Sequence, residues 1–414
     1  MISEGNILRT HCGHDILTGK LISAGAQGCA HWATDLCTGD NGVVKVFHSQ
    51  YANKETIDRL SFLQNQQLDR ACRALFPPKQ ILAANDLVGY FAFRAPGQDL
   101  ESSLAQPDWD FREGLLLAAA VAQTVSVLHD RGIAHGDISA ANMNVHRSGG
   151  TLDLGVYDFD NYSAPQVPPP PMIGDFLYMA PELRISMTGG SPTIPNVETD
   201  RFSLGVVIYE VTMLRHIADG ADQDQTSFDR AMCSGLWAHD PASPSCVTPT
   251  GGYPTGVLNS DMSRLFRHAF SLDPDERPSA ARWERELMAL SDSIQTCPVC
   301  RNYNMIDASK TACVFCNRPF PVLALATRHG QTIRVEKAAI QVGRMTLHGS
   351  PHVSSLHAIF RRVGAQTWME PLGQNGTYRW SGASWVRLPD GRPVFVSGGD
   401  RLKFADLEVD VVTA

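Results

Sequence analysis

Apolar and polar residues alternate along residues 15–47, and glycines interrupt the alternation. A period of two is typical of strands in a small antiparallel sheet. Residues 53–75 follow the spacing of a helix, and residues 80–94 contain two further runs of strand length. The pattern up to about residue 95 therefore predicts a sheet with one helix inserted into it.

The pattern becomes helical from about residue 111. In the stretch FREGLLLAAAVAQTVSVLHD, which starts at Phe111, apolar residues cover most of the helix surface, so this helix is predicted to be buried. Short strands are predicted on both sides of a loop at 133–145, and the proline-rich stretch 164–171 predicts an irregular segment. Residues 200–216 and 260–291 are again predicted to be helical.

The character of the chain changes after Leu290. Residues 297–316 are a compact cysteine-rich stretch. From residue 321 to the end, short β-type runs are separated by Gly, Asn and Asp turns, which is typical of an all-β sandwich.

Composition limits the classes of function. A chain of 414 residues is too long for one core, so two or three domains are expected. The net charge of −8 argues against general nucleic-acid binding and against an anionic membrane surface. No apolar run of about 18 residues is present, and the N-terminus lacks the pattern of a secretion signal. We therefore expect a cytoplasmic protein that is not bound to a membrane.

Four of the ten cysteines form a tight cluster with a regular spacing. Cys297-Pro-Val-Cys300 and Cys313-Val-Phe-Cys316 have the spacing of a zinc ribbon or a rubredoxin-like pair of turns. Four thiolates complete a tetrahedron and leave no open position, so a structural Zn²⁺ site is predicted. Four free thiols in a linker, or iron in place of zinc, are the alternatives.

Two N-terminal features suit a nucleotide. Ser23-Ala-Gly25-Ala-Gln-Gly28 is a turn of small residues, which lets backbone N–H groups approach phosphates. A glycine-containing hairpin turn gives the same pattern. Lys45 lies inside the apolar run Val43-Val-Lys45-Val, where burial is costly unless an anion meets the ammonium group. A strand lysine that points to solvent is the alternative.

The stretch His135-Gly-Asp137-Ile-Ser139-Ala-Ala-Asn142 resembles the catalytic loop of the protein kinases. Four further motifs that resemble the same family follow in the family's order: Asp158-Phe159-Asp160, Ala180-Pro181-Glu182, Asp200-Arg-Phe-Ser-Leu-Gly205 and Asp273-Pro-Asp-Glu-Arg277-Pro278. Their order along the chain predicts the bilobal α+β kinase fold.

This resemblance implies a role for each motif residue. Asp137 is the expected catalytic base, Asn142 and Asp158 the Mg²⁺ ligands, and Lys45 the contact to the ATP phosphates beneath the turn of Ser23, Gly25 and Gly28. His135 and Asp200 are expected to brace the catalytic loop. Arg277 is expected to pair with Glu182.

The chain departs from the kinase pattern at several positions. Gly136 replaces the arginine that receives an activation-loop phosphate, and Tyr162 and Ser163 are the only hydroxyls between Asp160 and Gly174, so no phosphorylation switch is expected there. Asp160 replaces a glycine and is interpreted as a third magnesium contact or a loop-stabilising acceptor. Ser139 and Asp175 replace a lysine and a threonine that serine/threonine kinases use.

The partner of Lys45 is a further departure. The helix that follows offers Glu55 and Asp58 early, and amides at 64–67, where a carboxylate is expected. An unusual geometry around the lysine is therefore predicted.

Residues 321–414 resemble an FHA domain, a β-sandwich that binds phosphothreonine. Gly343-Arg344, Ser354-Ser355-Leu356-His357 and Gln374-Asn375-Gly376-Thr377 carry this resemblance. It implies that Arg344 and Ser354 bind phosphate, Ser355 supports them and Asn375 holds the peptide backbone. His357 is expected to brace the loop, and a sandwich without ligand binding is the alternative.

The predicted domains are a kinase at 1–292, with lobes that meet near residue 95, a zinc ribbon at 293–320 and an FHA domain at 321–414. The H-G-D loop followed by D-F-D resembles divergent bacterial kinases, some of which belong to tellurite-resistance phosphorylation systems. That resemblance implies a serine/threonine kinase that uses ATP and Mg²⁺ and phosphorylates a protein substrate. It also implies a phosphothreonine-containing partner, or the chain itself, as ligand, together with a cognate protein phosphatase and a von Willebrand A-type protein. The alternative is a pseudokinase scaffold that binds nucleotide and recruits phosphorylated partners.

Overall fold

The computed structural model describes the backbone of residues 2–84, 87–106, 108–148, 151–170, 174–187, 189, 193–218, 225–235, 237–238, 253–291, 293–307, 310–336 and 339–414. The chain forms two compact units. The first comprises Met1–Gly252 and Leu265–Leu287, and the second comprises Tyr253–Arg264 and Met288–Ala414. The domain boundaries near residues 292 and 320 stay predictions.

The first unit begins with a six-stranded antiparallel sheet. Its strands are β1 (Ile7–Arg9), β2 (Asp15–Ala24), β3 (Gly28–Asp35), β4 (Asn41–Phe47), β5 (Gln80–Ala84) and β6 (Leu87–Phe93), in the spatial order β1-β2-β3-β4-β6-β5. One face is apolar, and Ile16, Val44 and Phe91 are fully buried in its core. The strands follow the alternation of the sequence, except that β1 is too short to be recognised from the pattern.

The short strand β1 protects an edge of this sheet. Beyond its end, Thr10 forms an antiparallel bridge with Leu82 of β5, so the first and last strands of the sheet meet. Polar side chains stabilise this contact. The buried carboxylate of Asp35 accepts a hydrogen bond of 2.7 Å from the Gln80 side chain, and it lies 2.7 Å from the His14 ring nitrogen. The bridge and the hydrogen bond of 2.9 Å from the His11 N–H to the Ile81 carbonyl oxygen therefore pair part of the two edges with each other.

The inserted helix is shorter than the sequence pattern predicts. Helix α1 spans Lys54–Gln66, and the Asn53 side chain caps it by accepting a hydrogen bond from the Thr56 backbone. Gln67 has a φ of +48°, which ends the helix, and the four-residue α2 (Leu68–Ala71) follows. The prediction of one continuous helix over 53–75 was therefore wrong at its C-terminal end.

The rest of the first unit is mainly helical. Its elements, some of which continue into the second unit, are β7 (Gln98–Asp99), α3 (Leu100–Leu104), α4 (Phe111–His129), β8 (Met143–Ser148), β9 (Thr151–Val156), α5 (Pro181–Met187), α6 (Val197–Met213), α7 (Gln225–Met232), α8 (Ser260–Ala269) and α9 (Ala280–Ser291). Strands β7, β8 and β9 form a small antiparallel sheet, and α4 packs on α6. The predicted helical stretch 260–291 is interrupted by a 3-10 turn at Pro274–Glu276.

Helix α4 is, among the described residues, the one helix long and apolar enough to cross a membrane. This is weak evidence, because a buried core helix passes the same test, and 67% of the apolar window is buried inside the first unit. The burial agrees with the sequence pattern, which has apolar residues around most of the helix.

The second unit contains a hairpin followed by two antiparallel sheets. The hairpin strands are β10 (Ile294–Thr296) and β11 (Tyr303–Met305). The remaining elements are β12 (Leu323–Thr327), β13 (Thr332–Arg334), β14 (Ala339–Val342), α10 (Arg344–Leu347), β15 (Ala358–Val363), β16 (Gln366–Pro371), β17 (Thr377–Trp380), β18 (Trp385–Arg387), β19 (Val394–Val396), β20 (Arg401–Phe404) and β21 (Leu407–Thr413). One sheet has the order β13-β12-β21-β20-β17-β18 and the other the order β14-β15-β16-β19.

Apolar residues from both sheets form one shared core. Phe360 of one sheet and Leu402 and Phe404 of the other are fully buried in it. Two packed antiparallel sheets with inward-facing apolar positions are a β-sandwich. This is the architecture that the short, regularly interrupted β-type runs predict.

Candidate functional site

A cleft in the first unit encloses about 620 Å³. Several of the residues singled out from the sequence line it, namely Ser23, Gly25, Gly28, Lys45, Asp137 and Asp158. A volume of this size is typical of a pocket for a nucleotide-sized ligand. The structure therefore brings together residues that are more than one hundred positions apart in the chain.

The turn Gly25–Gly28 connects β2 to β3 above the cleft, and the Gly25 N–H donates a hydrogen bond of 2.9 Å to the Gly28 carbonyl. Gly28 is required by strand packing, because a Cβ there would lie 2.2 Å from the Val46 carbonyl oxygen. A Cβ at Gly25 would meet open space apart from one atom at 4.0 Å. Ser23 and Gly25 are exposed, so the outer part of the turn leaves room for a ligand.

Lys45 points into the cleft and pairs with two carboxylates. Its Nζ lies 2.8 Å from Asp158 Oδ1 and 2.6 Å from Asp160 Oδ2. Although burial opposes its charge, Asp160 and Asp158 raise the pKa of the Lys45 ammonium group. The lysine is therefore positively charged at neutral pH, as a contact to phosphate requires.

Asp137 is held by backbone and side-chain donors. The Asp175 N–H donates to its Oδ1 at 2.6 Å, and the Asn142 side-chain amide donates to its carbonyl oxygen at 2.9 Å. Burial raises the pKa of Asp137, although the hydrogen bond from Asp175 opposes the shift. A raised pKa makes the carboxylate a better proton acceptor. Asp175 therefore contacts Asp137 through its backbone, while its side chain caps the turn at Leu177.

Asp158 has a φ of +60°, which is uncommon for a residue other than glycine. The next residue, Phe159, is buried, and its ring lies 4.8 Å from the ring of His135. This packing turns the Asp158 carboxylate towards Lys45 and the cleft. Carboxylate and amide oxygens are the ligands that Mg²⁺ prefers, so Asp158 and Asn142 are suited to hold it.

Sequence reasoning missed Asn161. Its side-chain amide donates to Asp137 Oδ2 at 3.3 Å, and its Oδ1 accepts a hydrogen bond of 2.8 Å from Gln27 in the glycine-rich turn. Asn161 therefore links the turn above the cleft to the Asp137 carboxylate below it. Its position directly after Asp158-Phe159-Asp160 is the only signal in the sequence.

The catalytic loop is fixed by Asp200. Its carboxylate accepts hydrogen bonds from the backbone N–H groups of His135 at 2.6 Å and Gly136 at 3.0 Å. The His135 ring lies 3.1 Å from the Tyr157 carbonyl oxygen. Asp200 and His135 are both buried, so this geometry suits the bracing role expected for them.

Glu182 and Arg277 form a two-pronged ion pair with distances of 2.7 and 2.8 Å. The Arg277 side chain is fully buried and also donates to the carbonyl oxygens of Ser271 and Glu198. The pair connects α5 to the segment before α9. It is the contact that the sequence predicts for these two residues.

The two hydroxyls after Asp160 are both engaged. The Tyr162 hydroxyl donates to the Arg59 carbonyl at 2.8 Å, and the Ser163 hydroxyl donates to the Pro195 carbonyl at 2.6 Å. Gly136 has a φ of +75°, and a Cβ there would lie 2.2 Å from the Asn161 carbonyl oxygen. The position where the kinase pattern has an arginine therefore admits only glycine.

Thr188, Thr193 and Thr199 lie in the Gly- and Pro-rich stretch after Glu182, whose composition predicts that they are exposed sites of autophosphorylation. Thr188 lies outside the described residues. Thr199 is buried and belongs to the capping box of α6, where it pairs with Asn196. The expectation of exposure was therefore wrong for Thr199.

The four clustered cysteines converge in the second unit. Cys297 Sγ lies 3.6 Å from Cys316 Sγ, and Cys300 Sγ lies 3.6 Å from Cys313 Sγ. Although burial opposes it, backbone N–H groups of the same turn lower the pKa of the Cys313 thiol to about 6. Four sulfur atoms at this spacing suit a tetrahedral metal ion, and thiolates select zinc or iron.

Three loops meet at one end of the sandwich and bring together the residues predicted to bind phosphothreonine. Arg344 donates to the carbonyl oxygens of Val353 and Pro351, and Asn375 donates to that of His352. The Ser354 hydroxyl accepts from the Gln374 N–H. The structure exposes Arg344, Ser355 and Asn375 and leaves Ser354 half-buried.

His357 lies beneath these loops and is fully buried. Its Nδ1 accepts a hydrogen bond of 3.1 Å from the Ser354 N–H, and its Nε2 lies 3.1 Å from the Gly376 carbonyl oxygen. Burial lowers the pKa of His357, so the neutral ring is favoured. The ring connects the loop of Ser354 to the loop of Asn375, which suits the predicted bracing role.

The comparisons with known proteins show a similarity to one family over part of the chain. A family model described as the protein kinase domain matches residues 94–286. The match includes Asp137, Asn142 and Asp158 and begins directly after β6. No curated protein matches the chain. Residues 94–286 are therefore similar to a protein kinase domain, which supports a protein kinase as the class of enzyme, with ATP and Mg²⁺ as the cofactors that such a domain implies.

Proposed function

We propose that the protein is an ATP-dependent serine/threonine protein kinase of bacterial signalling whose tail reads phosphothreonine. The observation that carries the kinase activity is the meeting of Lys45, Asp137 and Asp158 around one cleft of nucleotide size. The preference for serine and threonine, and the bacterial context, rest on the resemblance of the motifs.

Each side chain has a defined task in the proposed reaction. Asp137 orients the acceptor hydroxyl and takes its proton, and its burial favours the proton-accepting role. Lys45 binds the phosphates. Asn142 and Asp158 would hold Mg²⁺, which when bound neutralises the charge that develops on the phosphates.

The test is transfer of labelled γ-phosphate from ATP in the presence of Mg²⁺ to the chain itself and to a general protein acceptor. We expect incorporation by the wild type and loss of incorporation in Asp137→Ala and Asp158→Ala. Asp153→Ala, which changes an exposed aspartate on β9, is the matched control and is expected to keep the activity. Mass spectrometry of the product identifies the accepting residue, and modification only of tyrosine would contradict the serine/threonine assignment.

The pseudokinase scaffold is the second candidate, since α1 offers no buried carboxylate to Lys45. Asp158 and Asp160 nevertheless supply two carboxylates to this lysine, so the main argument for an inactive enzyme is weakened. Binding of ATP by the wild type without any phosphate transfer would favour the scaffold.

For the tail, we propose that Arg344, Ser354, Ser355 and Asn375 bind a phosphothreonine peptide, in cis or on a partner. Support comes from the three loops that meet at one end of the sandwich. Fluorescence anisotropy with matched phosphothreonine and threonine peptides tests this. Arg344→Ala should abolish the difference between the peptides, whereas Arg361→Ala, at an exposed position on β15, should keep it. Equal affinity of the wild type for both peptides would contradict the proposal.

Three further parts of the proposal rest on the sequence. The cysteine cluster is proposed to hold structural Zn²⁺ in a zinc ribbon, supported by its sulfur spacing. A cytoplasmic location is proposed on the ordinary composition of the sequence. A protein phosphatase and a von Willebrand A-type protein are proposed as partners on the resemblance alone, and purification of the chain from its native cells under mild conditions tests whether they accompany it.

A further inference from the structure

Helix α1 turns no carboxylate towards the cleft. Its buried residues are Arg59, Leu60 and Leu63, and its two acidic residues, Glu55 and Asp58, are exposed. Within the described residues, the ion pairs of Lys45 are with carboxylates that follow β9 and not with this helix. The position of the lysine is therefore set by another element.

Asp160 is the carboxylate that lies nearest to the Lys45 ammonium group. Its Oδ2 lies 2.6 Å from Lys45 Nζ, and its side chain is 3% exposed, compared with 34% for Asp158. Tyr90, which lies opposite Lys45 in the register of β4 and β6, is also buried on this side of the cleft. Asp160 is therefore the more deeply buried of the two carboxylates that pair with Lys45.

The position of Asp160 is itself fixed by α1. Arg59 donates to the backbone carbonyl oxygens of Asp160, Tyr162 and Pro168, and its guanidinium lies 4.4 Å from the centre of the Tyr162 ring. The helix therefore holds the segment after Asp158 through an arginine. That segment in turn presents Asp160 to Lys45, so the helix acts on the lysine through the segment.

We propose that Asp160 is the positioning residue for Lys45 and takes the place of a helix carboxylate. This inference rests on the proposed function, because it concerns the lysine that binds the ATP phosphates. Asp158 is exposed to the cleft and can turn to Mg²⁺, whereas the more deeply buried Asp160 keeps its contact with Lys45. One aspartate is then available to the metal and the other to the lysine.

The experiment compares Asp160→Asn with the wild type in the full-length chain. Asparagine keeps the size of the side chain and removes its charge. Affinity is measured by calorimetry for ATP with Mg²⁺ and, separately, for adenosine, which has no phosphates for Lys45 to contact. We expect the affinity for ATP to fall about ten-fold or more and the affinity for adenosine to stay within about two-fold. Glu55→Gln, at an exposed carboxylate of α1, is the matched control and should leave both affinities unchanged.

The outcomes separate this inference from the proposed function. If Asp160→Asn binds ATP as tightly as the wild type, or if both ligands lose affinity equally, Asp160 does not position Lys45 and the inference fails. If the wild type transfers no phosphate but the selective loss of ATP affinity is observed, the kinase activity fails and the role of Asp160 stands. Where transfer is measurable, the variant should lose kcat/KM for ATP and keep the KM for the protein acceptor.

Discussion

Removal of one sulfur from the cysteine cluster tests the metal site most directly. Zinc–sulfur bonds of about 2.3 Å in a tetrahedron place the sulfurs about 3.8 Å apart. The spacings of 3.6 Å in the structure are close to this value and far from a disulfide of about 2.0 Å. Cys300→Ser, which replaces a half-buried thiolate by a hydroxyl, should therefore abolish stable binding of zinc.

The local stability that a bound zinc ion would supply is large in comparison with the apolar contacts around the cysteines. Besides the cysteines, Ile306 and Phe320 are the buried residues of this core. Their burial contributes about 3–6 kcal/mol. Structural zinc contributes about 10–16 kcal/mol in small zinc domains. The region near residues 297–320 should consequently lose its fixed structure without the metal.

The assay combines metal analysis and hydrogen exchange. The wild type should contain about one zinc per chain and protect the amide N–H groups of Ile306 and Phe320, which both donate to backbone carbonyls. Cys300→Ser should lose the zinc and this protection. Cys72→Ser, a half-buried thiol in the first unit, should keep both. The reasoning is refuted if the wild type contains no metal after refolding with zinc, or if the amide protection of Cys300→Ser is unchanged. If the wild type contains about one iron per chain, the metal at this site is iron and not zinc.

Three further predictions concern stability and order. Glu182→Gln leaves the buried Arg277 without its charged partner. The free energy of unfolding of the first unit, measured by denaturant titration, should fall by about 3 kcal/mol. A loss below about 0.5 kcal/mol would show that the ion pair does not stabilise the unit. Burial lowers the pKa of His357 below its value in the unfolded chain. The stability that the neutral ring contributes is therefore present above about pH 6.5 and is lost as the pH falls through the folded-state pKa. Amide exchange near Ser354 should consequently rise more on acidification in the wild type than in His357→Gln. Arg59→Ala removes hydrogen bonds to three carbonyl oxygens and should increase exchange along residues 160–168, whereas unchanged exchange would show that α1 does not hold this segment.

Much of the first unit was predictable because its motifs are local. The catalytic loop combines its residues within eight positions, and the family match covers it. Strands β2 to β6 follow the alternation of apolar residues. The end of α1 was not predictable, because amides at 64–67 are acceptable in a helix, and only the structure shows the left-handed conformation of Gln67.

The contacts of Asp160 and Asn161 could not be read from the sequence. Asp160 pairs with Lys45 and Asn161 with Gln27, and each partner lies more than one hundred positions away in the chain and is placed by the sheet. The sequence correctly indicates that α1 has no carboxylate at the positions expected to pair with Lys45. It offered a magnesium contact or a loop acceptor for Asp160, and the ion pair with Lys45 was not among these interpretations.

The space around Gly136 restricts which residues can replace this glycine. An arginine at this position would be needed to receive a phosphate on the segment after Asp158. Its Cβ would collide with the Asn161 carbonyl oxygen, and Asn161 also holds the Asp137 carboxylate. A single substitution at Gly136 therefore cannot introduce a phosphate-binding arginine without displacing Asn161 and the Asp137 carboxylate that it holds.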